Sequence, residues 1–130
     1  NLKDNRKDMA LISLAGPLTN VLLAIVGSLL FRAAFLIPDQ AVLSFVQYTL
    51  FIIIDINILL AIFNLLPIPP LDGSKVFAML LPEKEANAYL GLGQFGIFIL
   101  LALLFFPIGP FSLNELIFHL LEFSQHLLLP

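Results

Sequence analysis

Three apolar runs, each long enough to cross a bilayer, constrain this chain more than any other feature. They cover about residues 9–37, 41–66 and 88–106. A hydrocarbon core of about 30 Å takes about 20 helical residues. In lipid every backbone polar group must find its partner inside the protein, so each run must be a helix. The expected fold is therefore all-α, a polytopic membrane protein with about three transmembrane helices. Composition agrees: 60% of the 130 residues are hydrophobic and 12% are charged, against roughly a quarter charged in soluble domains.

The tail from Ser112 to Leu129 patterns differently. Leu113, Leu116, Ile117, Leu120, Leu121 and Leu127 or Leu128 can share one helical face. Glu115, His119, Glu122 and Gln125 or His126 fall largely on the other. This spacing predicts an amphipathic helix lying on the membrane or against its neighbours, or a short fourth span. The region 1–130 carries no repeat, linker or domain boundary and reads as one unit.

Basic residues set the expected orientation. Lys3, Arg6 and Lys7 precede the first run, and Lys75 and Lys84 follow the second. Two crossings put both groups on one side, which the positive-inside rule makes cytoplasmic. The Pro38-Asp39-Gln40 turn then faces outward, and Arg32 reaches the interface by snorkelling. The stretch from Lys3 to Asp8 reads as a solvated loop. No basic arm or aromatic-interleaved basic patch suggests nucleic acid, and the absence of cysteine excludes disulfides and thiolate metal sites.

The second run ends in Asn64-Leu65-Leu66-Pro67-Ile68-Pro69-Pro70-Leu71-Asp72-Gly73. Prolines stop the helix, an extended segment follows, and one carboxylate stands beside a glycine at the membrane edge. Acids in or at the edge of a membrane are expensive and are functional candidates by default. Taken alone, Asp72 reads more readily as the N-cap of a short helix over Ser74–Leu81 than as a functional acid. Pro67, Pro69 and Pro70 restrict the backbone that delivers it, and Gly73 permits the turn. Asn64 offers an amide able to bond an oxyanion, a substrate backbone or a neighbouring helix.

Upstream stands Ala15-Gly16-Pro17-Leu18-Thr19-Asn20. Gly16 and Asn20 lie one helical turn apart, with Ser13 and Ala24 on the same stripe, and small residues at this spacing let helix backbones approach closely. Pro17 requires that its missing donor be absorbed by a helix start or by neighbouring groups. Asp55, near the middle of the second run, points almost opposite to Asn64 on a helix. It reads as structural: neutral, bonded to a neighbouring helix, or paired with Arg32. The string Gly91-Leu92-Gly93-Gln94-Phe95-Gly96 matches a dinucleotide-loop pattern but lacks the strand and downstream acid that pattern needs. Close packing is the expectation there. His119 and His126 read as surface or interfacial residues.

Together, the G-P-x-x-N and N-x7-D-G strings closely resemble two signatures of the site-2 protease family, intramembrane zinc metalloproteases, over roughly residues 1–106. The resemblance implies that Asp72 is the third zinc ligand and that Asn64 assists catalysis. Gly16, Pro17, Asn20, Pro67, Pro70 and Gly73 would support the site. The family's other two ligands and its general base lie on an H-E-x-x-H helix, which this sequence lacks. Since the chain begins with Asn1 rather than Met, it reads as the C-terminal portion, with the H-E-x-x-H segment of the same protein upstream. The implied whole protein is a zinc-dependent endopeptidase of transmembrane substrates in a lipid bilayer. A prokaryotic plasma membrane with the site on the cytoplasmic side is the expected location. The alternative is a non-catalytic membrane protein, either a degenerate protease relative or a transporter-like helix bundle.

Overall fold

The computed structural model describes residues 2–110 and 112–130, with side chains from Asn5 onward. Helix α1 spans Leu2–Ala33 and continues into a 3-10 turn over Ala34–Leu36. Helix α2 spans Gln40–Leu65, and the short α3 spans Asp72–Met79. Helix α4 (Glu83–Gly91), a 3-10 turn (Leu92–Phe95) and α5 (Gly96–Phe105) follow. Helix α6 spans Leu113–Leu128. Three stretches are long and apolar enough to cross a membrane: Asn5–Leu36, Gln40–Leu65 and Glu83–Phe105. The first and third begin earlier than hydropathy alone suggests. Residues read as a solvated loop, from Lys3 to Asp8, are helical, and Arg6 among them bonds the Ala78 and Leu81 carbonyls at the end of α3.

The packing inverts that of a soluble protein. Ala10, Ser13, Pro17, Ala24, Gly27 and Ser28 form the buried stripe of α1, while Ile12, Leu18, Leu22 and Leu29 stay exposed. Lipid is as apolar as leucine, so large side chains gain little by turning inward. Small residues let two backbones close up instead. A Cβ on Gly27 would lie 2.8 Å from Ile54 Cγ1, and Ile54 is completely buried. Pro17 sits inside α1 rather than at its start, fully buried.

Between α1 and α2 the chain reverses at Pro38-Asp39. The Asp39 carboxylate accepts from the Val42 amide at 2.9 Å, an N-cap that satisfies one of the helix's orphan donors. At the other end, α2 stops because Pro67 disfavours helical torsions in the residue before it. Leu66 is accordingly extended, at φ −63 and ψ 137.

Helix α6 lies alongside α2 in the opposite direction. Leu113 and Ile117 join Leu66 and Ile68 in one buried cluster, whereas Leu121 and Leu128 pack on the cluster of Ala24, Ile54 and Ile58. The tail packs against neighbouring helices, a placement common to an amphipathic tail and to a short fourth span. Gln125 donates to the Asp55 carboxylate across this contact, and Ser28 donates to the Leu128 carbonyl. Arg32 donates to the Ser28 hydroxyl. Asp55 is thus bonded to a neighbouring helix, and Arg32 is engaged elsewhere. Interhelical hydrogen bonds in membranes are worth about 1 kcal/mol. Asp55→Ala is expected to cost about that much and to speed proteolysis within Leu113–Leu128, with Asp55→Asn, which keeps an acceptor, close to wild type.

Candidate functional site

The site is built where the end of α2, the proline segment and α3 meet α1. Leu71, not Asp72, occupies the N-cap position of α3, and no side-chain bond caps that end. Asp72 is the first helical residue. The capping explanation for this carboxylate therefore fails, and its charge is merely well placed at the positive end of a short helix. Ser74 Oγ donates to the Leu71 carbonyl at 2.6 Å, closing the turn from within.

The carboxylate points toward α1. A Cβ placed on Gly16 would lie 3.4 Å from Asp72 Oδ2, so the glycine leaves the acid's flank uncovered. Gly16 itself is exposed, Pro17 beside it is buried, and Asn20 one turn on is half-buried. The sequence stripe is real but rotated: Pro17 rather than Gly16 takes the innermost position, and Gly16 borders the acid. The side chain of Asp72 keeps 30% of its surface accessible. Its charged neighbour is Lys75, at 4.0 Å on the same helix, a contact worth about 0–1 kcal/mol.

Close backbone approaches hold this arrangement. A Cβ at Gly73 would fall 2.1 Å from the Leu65 carbonyl oxygen and 2.5 Å from that of Leu66. Only glycine lets α3 start directly on the end of α2. Gly96 does the same for the proline segment: a Cβ there would lie 1.8 Å from Pro69 O and 2.5 Å from Pro70 Cδ. The Pro69–Pro70 bond is cis. Gly93 is in ordinary contact range of Pro69 and Pro70, while Gly91 meets nothing within 4 Å. The glycine string is therefore a packing device against the prolines. Tyr89 of α4 adds a tether by donating its hydroxyl to the Pro67 carbonyl.

Asn64 is half-buried in the last turn of α2, one helix end away from Asp72. Asn57 spends its amide on its own helix, donating to the Ile53 carbonyl at 2.8 Å. His119 and His126 are exposed on α6 together with Glu115 and Glu122. Among the described residues, no three His, Cys, Asp or Glu side chains gather to hold a metal. The residues here fit a zinc site as the donor of one carboxylate oxygen and no more. Sequence reasoning missed Arg6, Tyr89 and Gln125, because each acts through a partner 22 or more positions away.

Comparison with known proteins places the chain in a family. Residues 27–105 match the family model described as Peptidase family M50, a stretch that includes α2, the proline segment, α3 and α5. A Bacillus subtilis (strain 168) protein provisionally named zinc metalloprotease YwhC is 31% identical over 106 residues, covering 79% of this chain and 48% of the relative. Another, from Methanocaldococcus jannaschii and provisionally named zinc metalloprotease MJ0611, is 46% identical over 68 residues, covering 50% of this chain and 31% of the relative. The chain thus spans about half, or less, of the length of these relatives. No solved structure matches. With residues 27–105 of its 130 matched by the family model, the chain belongs to peptidase family M50, the site-2 protease family.

Proposed function

We propose that the intact protein is a zinc-dependent intramembrane endopeptidase that cleaves transmembrane protein or peptide substrates. In this reading Asp72 is one of three zinc ligands. The other two, with a glutamate acting as general base, belong to an H-E-x-x-H segment upstream. The observation that carries the reading is the state of Asp72. It is an acid that opens α3 just past the proline break that ends a membrane-length helix, does not cap its own helix, and is flanked by a glycine of α1.

When bound, zinc supplies the Lewis acidity that activates water for attack on a peptide bond. The chain's own residues would do the rest. Asp72 holds its carboxylate at a fixed place because α3 is pinned at Gly73. Asn64 presents an amide to the substrate backbone or to the oxyanion formed on attack. The segment from Pro67 to Pro70 is not the extended stretch expected from its prolines but a turn closed by the Leu71 amide donating to the Ile68 carbonyl at 2.8 Å. Tethered by Tyr89 and Gly96, it would serve as a fixed wall of the site. Placement near the cytoplasmic edge of a prokaryotic plasma membrane gives the site access to water. The charge pattern supports that orientation, with the basic head of α1 and Lys75 of α3 at one end of the molecule. By itself this chain supplies one ligand and no base, and is inactive.

The coding region upstream of Asn1 tests this directly. It is expected to encode H-E-x-x-H within a membrane-length helix. If the native protein contains no such segment and no partner chain supplies one, the protease reading fails and a non-catalytic membrane role replaces it.

A further inference from the structure

We infer that Arg6 is a positioning residue for Asp72, acting through the far end of α3. This rests on the proposed reading of Asp72 only for its consequence in zinc binding. The guanidinium of Arg6 is half-buried. Its Nη1 donates to the Ala78 carbonyl at 3.1 Å and to the Leu81 carbonyl. These carbonyls lie in the last turn of α3 and just past it, and Ala78 O also accepts the Leu81 amide at 3.2 Å, so Arg6 clamps a turn that ends the helix. A cation there is also favoured by the negative end of the helix dipole.

Why this should matter for Asp72 follows from the size of α3. With 8 residues, it is about 12 Å long, too short to hold its shape or direction by helix propensity. Its direction must come from contacts at its ends and along one side. At the start, Gly73 seats the helix on the Leu65 and Leu66 carbonyls. Along the side, Ser74 and Ala78 are buried. At the far end, Arg6 grips Ala78 and Leu81. Gly73 and the buried flank fix where α3 sits, and Arg6 at the far end fixes its tilt, which sets the direction of the Asp72 carboxylate toward α1.

The two helices also match in register. Gly16 lies ten positions after Arg6 on α1, and its open flank meets Asp72. Arg6 meets Ala78 and Leu81 at the opposite end of α3. Thus α1 and α3 run antiparallel, with Arg6 closing one end of the pair and Gly16 with Asp72 the other. The Nε of Arg6 is buried without an acceptor among the described residues. An arginine used only for solubility would have kept that group in water.

The test uses the full-length native protein with any other cysteines removed; this chain contains none. A Gly16→Cys, Asp72→Cys pair reports the closeness of α1 and the start of α3 by its rate of cross-linking with a short thiol reagent. Arg6→Met, which keeps the apolar stem but no donor, is expected to slow cross-linking at least about threefold. Arg6→Lys, which keeps a cation able to reach a carbonyl, is expected to restore more than half the rate. In the Asp72 background, Arg6→Met should raise the zinc dissociation constant about tenfold, the lower end of what losing a group that orients a ligand costs. Should Arg6→Met not fold, Arg6→Gln is read in its place, since it retains one donor without charge. If cross-linking slows while neither the Arg6 variant nor Asp72→Asn alters zinc affinity, the positioning role stands and the zinc reading of Asp72 falls. A folded Arg6→Met variant, or Arg6→Gln where it stands in, that cross-links at the wild-type rate overturns the inference.

Discussion

Replacing Asp72 with alanine in the full-length protein is expected to abolish zinc-dependent cleavage of a transmembrane substrate. Catalytic zinc sites use three protein ligands and keep the fourth position for water, so no spare donor can take over. The loss should exceed the roughly 100-fold reached when a group that merely orients a ligand is removed. Bound zinc, measured on the purified protein in detergent, should fall with activity. The melting temperature of the zinc-free protein should barely change, because the Asp72 carboxylate caps nothing and its contact with Lys75 is loose. Asp72→Asn separates charge from shape: it keeps the size and should still lose metal. Full zinc occupancy in either variant would remove Asp72 from the ligand set and return it to a surface acid of a short helix.

The second large effect is steric. Gly73→Ala and Gly96→Ala each place a methyl group inside a backbone carbonyl, 2.1 Å from Leu65 O and 1.8 Å from Pro69 O respectively. Ordinary overpacking of a core costs about 1–3 kcal/mol, because side chains can rotate away. Here the obstacle is main chain held between a helix end and three prolines, so the cost should reach the top of that range or pass it. Both variants should melt earlier in detergent, and Gly73→Ala should also weaken zinc binding by shifting the start of α3. Gly91→Ala is the internal control. It meets nothing within 4 Å and lies at the end of α4, where alanine is favoured over glycine by about 0.5–1 kcal/mol. Equal losses at positions 91 and 96 would show that the glycine string acts through something other than packing.

How much of this could be read without coordinates depends on the range of each interaction. Hydropathy is a property of neighbours in sequence, so the three spans and the proline stop after Leu66 are legible, apart from their polar ends. The N-terminal boundary of α1 is misread because Asn5, Arg6 and Lys7 look like loop residues until α3 supplies Arg6 with acceptors 72 and 75 positions away. The same holds for Asp55. Its helical phase excludes it from the Asn64 face, but nothing local selects Gln125 over Arg32 as its partner. That choice follows from α6 folding back along α2.

By itself the sequence determines that this chain lives in a bilayer as helices, that α2 must end at the prolines, and that Asp72 is the acid to explain. The first follows from backbone hydrogen bonding in lipid, the second from proline's fixed geometry and the third from the cost of an acid at a membrane edge, none of which needs a tertiary partner. Only the tertiary structure decides that Asp72 is not the cap of α3, that Gly16 leaves its flank open, and that Gly73 and Gly96 are irreplaceable. Those facts concern backbone atoms brought within a few ångströms by helix packing. In a membrane, packing is guided by small residues and isolated polar contacts rather than by a burial pattern written along the chain.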